Sequence, residues 1–131
     1  MIDETKKLCK YRIEKARECI KSAEALKLCG DYAFAVNRSY YAIFHSIRAV
    51  MALDGEDRKK HSGVIAYFQE HYIKSGVFDK ECSYIVKTAF RMWQKSDYED
   101  FYIISKEEVS EQIKNAKKLI AMIEEYVLDI I

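Results

Sequence analysis

Hydrophobic residues recur along this chain at intervals of three and four, the period of a helix that buries one face. The first such stripe predicts a helix over residues 3–29 and consists of Cys9, Ile13, Ala16, Ile20, Ala23 and Leu26. Gly30 is suited to end that helix, and Asp31 is suited to cap the next one. The second stripe predicts a helix over residues 32–53 and consists of Ala33, Val36, Tyr40, Ile43, Ile47 and Val50.

Three further helical segments are predicted after the polar loop 54–60. Residues 61–74 form the third helix, and Asp79 can cap a fourth helix that runs to about Gln94. A tyrosine-rich, acidic connection of undetermined form follows, over residues 95–104. Ser105 and Glu108 have the spacing of a capping box, and the stripe of the last helix is Val109, Ile113, Ala116, Ile120, Ile123 and Val127.

The composition supports a helical fold. The chain has 131 residues with no proline and only four glycines, too few turn formers for a sandwich or barrel of many short strands. The length is that of one domain, and no repeat or linker interrupts it. We therefore predict a single all-α domain over residues 1–131, an antiparallel up-and-down bundle of four to five helices.

Charge and hydropathy narrow the possible partners and location. The net charge is only +1, which argues against a broad electrostatic nucleic-acid binder. The N-terminal segment has no apolar run of signal-peptide length, and no stretch of the chain approaches the roughly 18 apolar residues of a membrane span. We expect a cytoplasmic protein.

The cysteines are expected to be buried or half-buried free thiols. Cys9, Cys19 and Cys29 are equally spaced, but on one helix neighbouring members lie about 15 Å apart along the axis. They can therefore neither form a disulfide nor share a metal. The same spacing excludes His61 and His71 as a metal pair on one helix, so neither a metal site nor a cofactor is predicted.

The second helix carries a polar stripe beside its core stripe. Arg38 and His45 are seven residues apart, so they point within about 20° of each other, and Tyr41 lies between them. Arg48 extends the stripe by one turn. The neighbouring side chains leave little room for water, which suggests that a second subunit covers them; they are Ala42, Ile43, Phe44 and Ala49.

The residue types in this stripe suit phosphodiester chemistry. Arginine holds a phosphate with paired donors, and histidine transfers a proton near neutral pH. The stripe has no carboxylate, so metal-assisted hydrolysis is not predicted. RNA supplies its own nucleophile, the 2′-hydroxyl. Two copies facing across a two-fold axis can divide the acid and base roles. Spacing alone also allows an ordinary structural role for these residues.

The run NRSYYAIFH, residues 37–45, resembles the HEPN family of small helical domains, in particular its compact stand-alone prokaryotic branch. Weaker features agree with the resemblance over most of the chain. They are the segment HSGV at 61–64, Arg91 followed by Ser-Asp-Tyr at 96–98, and the amphipathic helix after Ser105.

The resemblance implies an up-and-down bundle that is usually dimeric. Many members are metal-independent endoribonucleases with an Arg-x(4–6)-His motif, which Arg38 and His45 match with six residues between them. In such members the motif residues of two subunits meet at the dimer interface. Many are toxins paired with a minimal nucleotidyltransferase antitoxin, whereas others are suggested to bind nucleotides or are inactive scaffolds.

Two positions depart from the family pattern. Ser39 follows the motif arginine where ribonuclease members often have Asn, Asp or His, and Asn37 precedes it. Ile47 stands where some toxin members carry a tyrosine that the nucleotidyltransferase modifies. If a tyrosine is modified in this protein, Tyr98 or Tyr41 is the candidate.

Three hypotheses follow. The leading one is a dimeric toxin-type endoribonuclease with Arg38 and His45 as catalytic residues and with three residues that bind RNA or nucleotide, namely Asn37, Tyr41 and Arg48. The alternative is a non-catalytic module that binds a nucleotide or a nucleotidyltransferase, with residues 97–102 as the partner surface. The third is a purely structural helical dimer.

Overall fold

Five α-helices form the regular structure of residues 2–131, the part of the chain that the computed structural model describes. No strand occurs in that range, and the predicted all-α bundle is confirmed. None of the helices in this range is both long and apolar enough to cross a membrane. The helices are α1 (Asp3–Leu28), α2 (Tyr32–Leu53), α3 (His61–Phe68), α4 (Lys80–Tyr98) and α5 (Lys106–Ile130).

Helix α2 is the centre of the bundle and packs against all four other helices. It buries side chains around most of its circumference, because apolar residues occupy more than one of its faces. Ala42, Ile43 and Ala49 are completely buried, and Phe44 nearly so. The chain itself therefore covers the residues for which a second subunit was expected. Ala33, placed in the core stripe by the sequence, is exposed.

The predicted helix starts are confirmed by their capping bonds. Gly30 adopts a φ of 81° after α1, and the Asp31 side chain accepts a bond from the backbone of the first turn of α2. Asp79 does the same for α4. Ser105 and Glu108 form both bonds of the capping box. Each cap satisfies amides that the first helical turn leaves free.

The third helical segment differs from the predicted single helix over 61–74. Helix α3 ends at Phe68, and residues Gln69–Ile73 form a turn of π-helix. The hydroxyl groups of Tyr67 and Tyr72 both donate to Asp54, at 2.8 and 2.7 Å. Residues five apart in a regular α-helix point about 140° away from each other. The wider π turn reduces that angle, so both tyrosines reach one carboxylate.

Helix α4 continues one turn beyond the predicted end at Gln94, to Tyr98. The irregular connection is therefore confined to residues 99–105. Within it, Phe101 has a φ of 54°, which is rare for a residue with a side chain, and it is fully exposed.

The thiols are free, and three of the four are buried as predicted. Cys9, Cys19 and Cys82 lie in the core, whereas Cys29 is exposed. The prediction was wrong for Cys29 because this residue caps the C-terminus of α1, where the chain leaves the bundle for the turn at Gly30.

Candidate active site on helix α2

The polar stripe predicted on α2 lies on one side of the helix, half-buried along its length. The guanidinium carbon of Arg38 lies 4.9 Å from the centre of the Tyr41 ring, a cation–π distance. The Tyr41 and His45 rings follow, with centroids 6.1 Å apart. The structure thus brings three of the predicted site residues into one continuous row.

Asn37 holds the guanidinium of Arg38. Its Oδ1 accepts bonds from Nε of Arg38 at 3.0 Å and from Nη2 at 2.7 Å. These two donors share one acceptor, which fixes the plane of the guanidinium. The Nη1 group makes no hydrogen bond within residues 2–131 and is available to an anion.

The pKa of His45 is lowered to about 4. Burial is the largest cause because it disfavours the charged imidazolium. The next causes are positive charges on α1 and α2, those of Lys15, Arg48, Arg38 and Arg12. At pH 7 the imidazole is therefore neutral, and one of its ring nitrogens has a free lone pair with which to accept a proton.

Arg48, predicted to bind the RNA backbone, is already engaged in an ion pair. Its Nη2 lies 3.0 Å from Oδ2 of Asp57 in the loop after α2. Arg12 approaches the same oxygen with its Nη2 at 3.5 Å. Arg12 also donates from Nη1 to the carbonyl oxygen of Arg48, at 2.8 Å. We refer to this arrangement of Arg12, Arg48 and Asp57 as the arginine clamp.

The sequence did not indicate the arginine clamp. A signal for Arg12 existed, because it lies three residues after Cys9 and four before Ala16 and so shares the buried face of α1. Asp57 had no such signal, since it is one of six charged residues in the loop 54–60. The carboxylate of Asp57 therefore lies at one end of the stripe, although the stripe residues of α2 include no carboxylate.

A stack of aromatic rings packs against the stripe. The His61 ring lies nearly parallel to those of Phe44 and Trp93, with centroids 4.2 and 4.8 Å away. Its Nδ1 is 2.7 Å from the hydroxyl of Tyr40. Tyr41 meets His61 edge-on at 5.6 Å. The ring of Tyr41 is thereby held against the stack, which limits the positions open to its neighbours in the stripe.

The remaining histidine and the candidate tyrosine lie apart from this row. His71 is exposed and contacts Tyr67, with ring centroids 4.3 Å apart. Tyr98, the last residue of α4, is 78% exposed and makes no hydrogen bond or ring contact with the stripe in the described part of the chain. Residues 2–131 contain no group of three His, Cys, Asp or Glu side chains that could hold a metal.

Comparison with known proteins assigns the family. The sequence profile of the HEPN domain matches residues 9–126. The chain belongs to the HEPN family. A UPF0332 protein of Thermotoga maritima is 31% identical to this HEPN chain over 129 residues, which is 98% of each chain.

Two further relatives come from Methanocaldococcus jannaschii. "Putative toxin MJ0142" is 35% identical to the HEPN chain over 96 residues, 73% of this chain and 65% of the relative. "Putative toxin MJ0605" is 35% identical over 86 residues, 66% of this chain and 64% of the relative. Both matches thus leave about a third of the longer relative uncovered.

Proposed function

We propose that the protein is a metal-independent endoribonuclease of the toxin type that acts as a homodimer in the cytoplasm. The observation that carries this proposal is the neutral His45, half-buried in a row with Arg38 and surrounded by cations. Arg38 and His45 also match the Arg-x(4–6)-His motif of HEPN ribonucleases. The names of the two M. jannaschii relatives support the toxin assignment.

The reaction is an internal transesterification of RNA. His45 takes the proton of a 2′-hydroxyl, whose oxygen attacks the adjacent phosphorus. The bond from phosphorus to the 5′-oxygen breaks, leaving a 2′,3′-cyclic phosphate and a 5′-hydroxyl end. Arg38 binds the non-bridging oxygens and stabilises the charge that develops on them.

The leaving 5′-oxygen requires a proton, which we assign to His45 of the partner subunit. Each subunit then supplies one imidazole: the neutral one acts as the base, and the other acts as the acid once it has taken up a proton. A bound phosphate opposes the cations that lower the pKa of His45, so the imidazole becomes a better proton carrier once RNA is in place. Asn37 orients Arg38, and Tyr41, which contacts both Arg38 and His45, fixes the position of one relative to the other.

The test is cleavage of single-stranded RNA in EDTA by the wild type, Arg38→Ala and His45→Ala. We expect each substitution to lower the rate by at least about 10²-fold, because Arg38→Ala removes a group that stabilises charge and His45→Ala removes the base and the acid together. The exposed His71→Ala serves as the control and should cleave like the wild type. Cleavage that persists at the wild-type rate in both site variants disproves the proposal.

The alternative function is a non-catalytic module that binds a nucleotide or a minimal nucleotidyltransferase. Exposed apolar side chains at the end of α4 and on the acidic connection after it favour this alternative, since such patches mark protein interfaces; they are Tyr98, Phe101 and Ile103. Measurable ATP affinity, or co-purification with a neighbouring nucleotidyltransferase that is lost in Phe101→Ser, without any RNA cleavage, supports this alternative.

A purely structural dimer is the third possibility. It requires Arg38 and His45 to lie far from their symmetry mates. A crystal structure of the dimer decides between this arrangement and a shared site, because the proposed acid–base division needs both imidazoles within reach of one phosphate.

A further inference from the structure

The arginine clamp places two guanidinium groups on one carboxylate oxygen. Oδ2 of Asp57 lies 3.0 Å from Arg48 and 3.5 Å from Arg12. The three side chains lie at different depths below the surface. That of Arg12 is 10% exposed, that of Arg48 26% and that of Asp57 54%. The cations therefore form the inner wall, and the anion closes the site from the solvent side.

Asp57 leaves part of this cationic site unsatisfied. Nε of Arg48 is buried and has no hydrogen-bond partner within residues 2–131. The carboxylate engages Arg48 through one oxygen, while its Oδ1 accepts a bond from the backbone amide of Arg58 at 2.9 Å. Arginine binds an anion best through two parallel bonds. Asp57 supplies only one of them.

A groove of about 570 Å³ opens beside the clamp. Asp57 is the only acid among its lining residues; the others are Phe44, Arg48, Arg58, Lys59 and His61. Arg58 pairs with Glu56 at 2.6 Å, and Lys59 makes no ion pair in the described part of the chain. The groove lining is thus mainly cationic, with Asp57 as its single negative charge.

We infer that Arg12 and Arg48 form a phosphate subsite next to His45, which Asp57 occupies until a backbone phosphate of single-stranded RNA displaces it. This subsite rests on the proposed function and extends the RNA-binding site by one nucleotide. The Asp57 oxygen lies where a non-bridging phosphate oxygen would lie, between two guanidinium groups.

Displacement is chemically reasonable. Asp57 belongs to the exposed loop 54–60, so its carboxylate can rotate away from the arginines and become hydrated. The phosphodiester offers two non-bridging oxygens that share one negative charge, one oxygen for each arginine. Arg48 lies one turn from His45 on α2, so a phosphate held there is adjacent to the one that reacts.

The experiment measures binding of a single-stranded RNA whose ribose groups are all 2′-O-methylated, so that it cannot be cleaved. Dissociation constants are compared at several salt concentrations for the wild type, Asp57→Asn, Arg48→Gln and the double variant. Glu111→Gln, at an exposed position near the start of α5, provides the same change of charge elsewhere. Thermal unfolding of every variant reports whether it is folded.

We expect Asp57→Asn to tighten binding by about three- to tenfold at low salt, because it removes the competitor, and the gain should shrink as salt rises. Arg48→Gln should weaken binding and abolish that gain, since the gain acts through the guanidinium. Glu111→Gln should bind like the wild type.

Unchanged binding in Asp57→Asn, with a lower melting temperature, shows that the carboxylate only anchors the loop and overturns the subsite. An equal gain in the Arg48→Gln background also overturns it, since the effect is then one of general charge. Because the probe cannot be cleaved, a wild type that fails to cut RNA while Asp57→Asn gains affinity refutes the ribonuclease proposal and leaves the subsite standing.

Discussion

The hydroxyl of Tyr40 lies 2.7 Å from Nδ1 of His61 and joins the centre of α2 to the first residue of α3. Burial raises the pKa of Tyr40, and burial together with the charge of Arg48 lowers that of His61. Both groups are therefore neutral at pH 7, and one hydrogen bond joins the hydroxyl to the imidazole. This bond holds the ring stack on which Tyr41 rests.

Tyr40→Phe should destabilise the protein by about 1–2 kcal/mol, because it leaves a ring nitrogen without its hydrogen-bond partner. Urea unfolding measures this loss. RNA cleavage should fall only a few-fold, since the reacting groups remain. The matched control is Tyr84→Phe, at a largely exposed tyrosine. Equal stability of the two variants would show that the bond contributes nothing.

Stability should fall as the pH drops from about 6.5 to 4. His45 has a pKa of about 4 in the folded chain, against an ordinary value of 6.5. Between these values the unfolded chain binds more protons, so acid favours unfolding. Because His45 is only half-buried, we expect a loss on the order of 1–2 kcal/mol.

Urea unfolding at pH 7.5 and pH 4.5 measures this dependence on pH. His45→Gln should reduce it without removing it, because the pKa of His61 is also lowered and acts in the same direction. His71→Gln is the control. A wild type that is equally stable at both pH values contradicts the assignment of a neutral, desolvated His45.

In the pH profile of RNA cleavage, the acid limb should lie well below the ordinary pKa of histidine. The acid limb of kcat/KM reports the pKa of the base in the free enzyme, and that of His45 is about 4. Cleavage should therefore continue well below pH 6.5 before it declines, and it should weaken towards pH 8, because the imidazole that acts as the acid must be protonated. Measuring kcat/KM between pH 4 and pH 8 tests this, and an acid limb centred near 6.5 would point to an exposed imidazole as the base.

Asn37→Ala should reduce cleavage by about tenfold while stability changes little. Asn37 accepts both bonds that fix the plane of Arg38, and a misplaced positioning group typically costs rate rather than fold. Kinetics at saturating RNA separate the loss of kcat from a change in KM. Asn115→Ala, at the half-buried asparagine of α5, is the matched amide control. A variant as active as the wild type shows that Arg38 needs no such support.

Much of the fold was predictable because the signals are local. The caps at Asp31, Asp79 and Ser105 act on amides within three residues, and the core stripes follow from the helical period. The row of Arg38, Tyr41 and His45 was predictable for the same reason, since one regular helix carries all three.

Long-range packing decided the rest. The π turn after Phe68 brings two tyrosines to Asp54, and the arginine clamp joins Arg12 to a residue 45 positions away in the chain. No local pattern encodes such contacts. The sequence by itself determined which helices form and which polar residues share a face. Only the tertiary structure decided that the chain buries α2 with its own helices, that a carboxylate engages Arg48, and that His45 is neutral, because burial and charge at a site depend on residues that only the fold brings together.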